Sequence, residues 1–150
     1  APSLQREQLR PYLGEIEFPI QMIQETPFEM ISLADVVLVA SGTATLMVGL
    51  MEKPMIIMYK MNAVTAFLAK LLVKETPFFG MANLIMGRKV VPELFQEEAN
   101  PRRLASELLE LIENPSKRAT LASELHGISE RLGSRGATQN VIRVLDGYIN

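Results

Sequence analysis

Cysteine is absent from the 150-residue chain, which excludes disulfides and thiolate metal sites and fits a reducing compartment. Histidine occurs once, at His126. With no partner His or Cys near it in the pattern, it supports neither a metal site nor a Ser-His-Asp triad. An excess of one charge is lacking too: 15 Lys and Arg face 17 Asp and Glu, for a net charge of −2. No global positive field would gather a nucleic acid. The longest apolar region, Met61 to Val73, contains Lys70 and falls short of the ~20 residues a membrane-spanning helix needs. Neither G-x-G-x-x-G nor a Walker lysine is present, so a dinucleotide fold or P-loop is not supported. There is no internal repeat, no low-complexity linker and no charged-then-apolar leader. The first residue is Ala1, and the chain is expected to begin inside a longer protein.

What is present suits a packed domain. Hydrophobic residues make up 48% and charged residues 21%, enough for one compact core under an ordinary surface. Leu4 to Leu13 reads as a helix closed by Gly14. Ile16 to Ile23 reads as a strand, distorted or at an edge because of Pro19. Glu25 to Leu33 reads as a short helix with Thr26 and Pro27 at its start. Val36 to Val39 is a short apolar run of the kind buried in a parallel sheet. Ser41-Gly42-Thr43 breaks it, Ala44 to Met51 is helical, and Met55 to Tyr59 after Pro54 is a second buried strand. Together these predict a βαβ unit. An apolar helix over Ala63 to Val73 follows, then an irregular stretch around Pro77 to Gly87 and a short segment from Lys89 to Phe95. Three helices close the chain. One runs from Pro101 to Ile112, with Leu104, Leu108, Leu111 and Ile112 as its stripe. The next runs from Pro115 to Leu132, with Leu121, Leu125, Ile128 and Leu132. The last spans Ala137 to Tyr148. The fold class is α/β, a partial doubly wound sheet finished by carboxy-terminal helices.

In such sheets ligands settle at the carboxyl ends of the strands. The turn Ser41-Gly42-Thr43-Ala44-Thr45 falls there. Gly42 admits close backbone approach, helix N–H groups favour a phosphate, and the hydroxyls of Ser41, Thr43 and Thr45 can donate to one. Plain helix capping by these hydroxyls is the competing explanation. A second cluster is Asn83, Arg88, Glu93 and Gln96. Its amides can read a base or sugar, and its carboxylate can accept the hydroxyls of a ribose. Alternatively, Glu93 and Glu97 form an exposed pair one helical turn apart. On the Met61 to Lys74 helix, Val64, Phe67, Leu68, Leu71 and Leu72 share one side, with Lys60, Lys70 and Lys74 near its edges. That pattern fits either core packing or contact with a membrane surface or an acyl chain.

Several of these segments carry a resemblance. Ala40-Ser41-Gly42-Thr43-Ala44-Thr45-Leu46, Lys53-Pro54-Met55, Tyr59-Lys60 and Leu68 to Lys74 are similar to the lipid-A-disaccharide synthase family. So are Asn83-Leu84, Gly87 to Leu94 and Gln96-Glu97-Glu98. The likeness keeps the family's order and approximate spacing from about Asp35 to Ala99. It implies a two-domain GT-B glycosyltransferase, of which residues 1–150 would form a single incomplete domain, the Rossmann-like donor-binding part. The acceptor domain and the first strand-and-turn unit of the donor domain would lie outside the chain. Without them the chain is expected to be inactive alone, and to re-pair its strands or need a partner over its open edges.

The reaction implied joins UDP-2,3-diacylglucosamine to 2,3-diacylglucosamine 1-phosphate, giving the lipid A disaccharide and UDP with inversion. It implies no cofactor and no metal, and places the catalytic base in the absent domain. By the same likeness Ser41, Gly42, Thr43 and Thr45 would face the donor diphosphate. Asn83, Glu93 and Gln96, with Arg88 as a weaker member, would line the nucleoside and sugar pocket. Val64, Phe67, Leu68, Lys70, Leu71 and Lys74 would touch the membrane or acyl chains. The implied location is the cytoplasmic face of the inner membrane. A homodimer is left open, and nucleic acid is not a partner. One residue departs from the family pattern: Met47 stands where a ribose-binding Glu is usual. Other UDP-sugar enzymes of this architecture, and a non-catalytic membrane or partner-binding module, are the competing readings.

Overall fold

A computed structural model describes residues 6–13, 19–23, 27–40, 42–62, 78–133, 141–142 and 145–146. The chain forms two compact units, residues 1–34 and 35–150.

The first unit holds α1 (Arg6–Leu13) and α2 (Pro27–Leu33). Both starts suit a helix. Glu7 and Glu29 place negative charge in first turns, and Pro27 occupies a first helical position, where its missing N–H costs nothing. The strand expected over residues 16–23 is not present in its described part, since residues 19–23 are irregular. Pro19 brings no donor to a ladder, and Pro19, Ile20, Gln21 and Ile23 are exposed, so no apolar face is being buried there.

The second unit carries the sheet. Its elements are β1 (Val37–Ala40), α3 (Thr43–Leu50), β2 (Met55–Tyr59), α4 (Met81–Met86), β3 (Glu93–Phe95), α5 (Pro101–Glu113) and α6 (Pro115–Leu132), with a 3₁₀ turn over Gln96–Glu98. The three strands are parallel in the order β1-β2-β3. Val39 pairs with Ile57 and Ala40 with Met58; Ile57 in turn pairs with Glu93, and Tyr59 with Phe95. β2 is central, and Met55, Ile56 and Ile57 are fully buried, as expected of a strand covered on both faces. β1 alternates more: Val39 is buried and Leu38 is 40% exposed. Among the described residues no strand lies on its outer side. β1, α3 and β2 thus form the βαβ unit that the sequence predicts.

α3 lies against β1, β2, α4 and α6. Gly49 makes that approach feasible. A Cβ there would come within 2.7 Å of Ile128 Cδ1 and 3.5 Å of Met55 Cε, so even alanine requires the Ile128 side chain to shift. α3 ends in backbone bonds from Met51 to Met47, Glu52 to Gly49 and Lys53 to Val48, and Pro54 then prevents its continuation. α5 and α6 begin alike. Asn100 accepts from the Arg103 N–H and Asn114 from the Lys117 N–H, each at 2.9 Å, with Pro at the following position. Leu121, Leu125 and Ile128 of the α6 stripe are buried, while Leu132 is half-exposed; in the α5 stripe Leu111 is buried and Ile112 exposed.

Pro77 to Gly87, expected to be irregular, contains the six-residue helix α4. So short a helix does not nucleate by propensity; its ends are set by groups elsewhere in the chain, described below. The expected helix over Ala63 to Val73 lies outside the described residues, except that residues 61–62 are irregular. Of the last expected helix, residues 141–142 and 145–146 are helical.

Candidate functional site at the carboxyl end of the sheet

Every strand of a parallel sheet points its carboxyl end the same way, so the residues after β1, β2 and β3 share one rim. After β1 comes Gly42, with φ 131° and ψ −161°, a conformation essentially reserved for glycine. It caps α3, and being glycine it brings no side chain to the α3 first turn. Thr43 is exposed there. The Thr45 N–H bonds back to Gly42 O at 3.1 Å, and among the described residues no carboxylate bonds to the first N–H groups of α3, where the positive end of its dipole lies.

Thr45 has a different position from the one a ligand contact needs. It is fully buried. Its hydroxyl donates to Gly42 O at 2.8 Å and accepts from the Met81 N–H at 3.2 Å. Thr45 thus fastens the start of α3 to the start of α4 and presents nothing to solvent.

The start of α4 is already occupied by negative charge. Glu93 Oε2 accepts from the Phe79 N–H at 2.9 Å, and Oε1 accepts from the Gly80 N–H at 3.1 Å and from Asn83 Nδ2 at 2.6 Å. A carboxylate at a helix start is favourable, and it bars a second anion. Among the described residues the two helix starts thus differ: one is closed by Glu93, the other is open at Gly42.

Asn83 is fully buried with both ends of its amide in use. Nδ2 donates to Val91 O (2.9 Å) and to Glu93, while Oδ1 accepts from the Val90 and Val91 N–H groups at 2.7 and 2.9 Å. Gln96, at φ 53°, makes a paired bond with the Met61 backbone: Met61 N–H to Oε1 and Nε2 to Met61 O, both 2.9 Å. Arg88 meets Glu124 at 3.2 Å, with both side chains partly exposed. Asn83, Glu93 and Gln96 therefore brace the walls of the rim, and Arg88 ties the α4 end to α6. The exposed Glu93–Glu97 helical pair is not formed, because Glu93 is half-buried in β3. Ser41, Val64, Phe67, Leu68, Lys70, Leu71 and Lys74 lie outside the described residues.

Two rim features escaped the sequence reading. Tyr59, Phe79 and Phe95 cluster with ring centroids 5.1–6.2 Å apart, Phe79 and Phe95 being stacked at 14°. Tyr59 and Phe95 are the last residues of paired strands, which is the only signal the sequence offered. The second is the Thr45 link, which joins residues 36 positions apart.

Away from the rim, His126 Nδ1 lies 2.7 Å from Glu52 Oε1, with both side chains exposed. The hydrogen bond to Glu52, and then its charge, raise the imidazole pKa above its ordinary 6.5. A shallow cavity of about 420 Å³, lined by Asp35, Val36, Leu108, Ile112 and Arg118, sits where the chain enters β1, at the opposite end of the sheet from Gly42. Among the described residues no cluster of His, Cys, Asp and Glu could hold a metal ion, and no helix is long and apolar enough to cross a membrane.

The profile of the Lipid-A-disaccharide synthetase family matches residues 5–140. The chain belongs to that family. It is 32% identical to the lipid-A-disaccharide synthase of Nitrosococcus oceani over 150 residues, covering 98% of this chain and 38% of that protein. To the Azotobacter vinelandii synthase it is 36% identical, over 94% of this chain and 37% of that protein. To the synthase of Anaeromyxobacter dehalogenans strain 2CP-C it is 34% identical, over 99% and 39%. The chain thus spans about two fifths of the length of the curated relatives it matches. The parallel sheet with its helices is consistent with part of the Rossmann-like half of a GT-B enzyme. Within this family member, Met47 lies on α3 one turn beyond Thr43 and is half-buried.

Proposed function

We propose that this chain is the donor-binding part of an inverting glycosyltransferase acting in lipid A biosynthesis. The donor is UDP-2,3-diacylglucosamine, the acceptor 2,3-diacylglucosamine 1-phosphate, and the products a β-1,6-linked disaccharide and UDP. The acceptor hydroxyl attacks C1 of the donor sugar as the C1–O bond to the diphosphate breaks on the opposite face. The base that takes the hydroxyl proton comes from the part of the family's length outside this chain. This chain's own contribution is electrostatic: negative charge grows on the departing diphosphate, and prealigned donors stabilise it.

The observation that carries the reading is the contrast between the two helix starts. With α4 closed by Glu93, the diphosphate has the α3 start at Gly42 and Thr43, where helix N–H groups and the exposed Thr43 lie next to each other in the chain. Ser41 joins them as a further donor in this proposal. Thr45, Asn83, Glu93 and Gln96 support the site by holding its walls. Met47 offers the ribose no strong acceptor, so donor affinity is expected to be low. No metal or cofactor enters the scheme.

The acyl chains give the 64–74 segment its proposed role. Val64, Phe67, Leu68 and Leu71 contact lipid, with Lys70 and Lys74 at the headgroups, on the cytoplasmic face of the inner membrane. Liposome binding unchanged by Phe67→Glu and Leu71→Glu, with folding preserved, would remove this part. The donor reading is tested by calorimetric titration with UDP against CMP, in wild type and Thr43→Val. Loss of one hydrogen bond to a charged group, about 1.5–3 kcal/mol, corresponds to roughly 10- to 150-fold weaker UDP binding. Equal affinity for UDP and CMP would instead favour a non-catalytic interaction module.

A further inference from the structure

Glu93 and Gln96 lie three residues apart, at the start of β3 and just past its end, and each grips backbone rather than presenting a free head group. Gln96 holds Met61 through a matched donor and acceptor at 2.9 Å. Glu93 holds the N–H groups of Phe79 and Gly80 at 2.9 and 3.1 Å. Met61 and Phe79 are the two ends of one long connection, which leaves the sheet after β2 and returns at α4. Both grips lie on the rim that begins at Gly42, since Tyr59 pairs with Phe95 and Met58 with Ala40. Lys60, between Tyr59 and Met61, is exposed.

We infer that Gln96 and Glu93 are positioning residues for the donor rim: they fix both ends of the connection from Met61 to Phe79 and do not contact the donor themselves. The inference rests on the proposed function for what the rim holds, but not for the two grips. Gln96 is suited to the first because an amide offers one donor and one acceptor side by side, matching the N–H and C=O of a single residue. Glu93 is suited to the second because a carboxylate only accepts, and its partners are all N–H groups. The Gln96 backbone sits in the left-handed region, at φ 53°. A non-glycine residue in that region persists only where its surroundings hold it.

The test is ¹⁵N NMR on the whole 150-residue chain, with amide exchange read at Met61, Phe79 and Gly80 and the Gln96 side-chain amide followed during UDP titration. Gln96→Leu is expected to speed exchange at Met61 by tenfold or more and leave Phe79 and Gly80 unchanged. Gln96→Glu keeps the acceptor for the Met61 N–H and is expected to restore part of that protection. Glu93→Gln keeps one acceptor oxygen and is expected to speed exchange at Phe79 or Gly80 while leaving Met61 unchanged. In wild type the Gln96 side-chain resonance is expected to stay in place as UDP is added. Unchanged exchange at Met61 in Gln96→Leu, or a UDP-dependent displacement of the Gln96 amide resonance, would overturn the inference. The Gly42 and Thr43 amides report the donor reading separately: if they ignore UDP, that reading fails while the exchange results still decide the grips.

Discussion

Replacing Asn83 by Ala should be among the most damaging single changes in the chain. The side chain is fully buried and serves two backbone N–H groups, one backbone carbonyl and the Glu93 carboxylate. Val91 is fully buried and Val90 nearly so, so water has little access to the groups left behind. Each unsatisfied buried group costs about 1–3 kcal/mol. With three backbone groups stranded and some relaxation, the loss is roughly 3–6 kcal/mol. That is comparable with the whole stability of many domains, about 5–15 kcal/mol. Urea denaturation followed by far-UV circular dichroism reads it directly. Asn83→Asp sharpens the test, because it keeps the acceptor for Val90 and Val91 but turns a carboxylate oxygen toward Glu93 and Val91 O. It should be nearly as destabilising at neutral pH and recover as the new carboxyl protonates. A loss below 1 kcal/mol in Asn83→Ala would refute the assignment of Asn83 as the brace of the rim.

Thr45→Val strands the Met81 N–H and should cost about 1–3 kcal/mol, whereas Thr43→Val, at an exposed position, should change stability by no more than about 0.5 kcal/mol; paired thermal melts separate them. Gly49→Ala forces a methyl against Ile128 and Met55 and should cost about 1–3 kcal/mol, so a neutral result would mean α3 and α6 are less tightly packed than described. An NMR titration should put the His126 pKa above 6.5, with Glu52→Gln returning it toward that value. Because the folded pKa is the raised one, the pair's stabilisation is complete below about pH 6.5 and fades as pH climbs through the folded value.

Local signals explain what the sequence revealed. Val37 to Ala40 and Met55 to Tyr59 are short apolar runs bounded by Gly42 and Pro54, so strand, helix and strand followed from neighbours in the chain. α5 and α6 were equally plain, each opened by an Asn-Pro pair. α4 was not, because its start is set by Thr45 and Glu93, 36 and 13 residues from their partners. Residues 19–23 of the strand expected over Ile16 to Ile23 are irregular for a related reason: an apolar pattern says nothing about whether a neighbouring strand exists to receive it. The candidate site was legible only in outline. Gly42 and Thr43 stand at a strand end, where ligands of parallel sheets commonly settle. Asn83, Glu93 and Gln96 resembled ligand contacts because polar side chains among apolar neighbours need partners. The partners they have are backbone groups of Met61, Phe79, Gly80, Val90 and Val91, which no spacing rule anticipates.

In the proposed function the start of α3 receives the donor diphosphate. The most direct measurement is the map of amide resonances displaced when UDP is titrated into ¹⁵N-labelled chain. Saturable displacements centred on Gly42, Thr43 and Ala44, weakened in Thr43→Val, are expected. Displacements centred instead on Asp35, Leu108 and Arg118, at the far end of the sheet, would contradict the proposal.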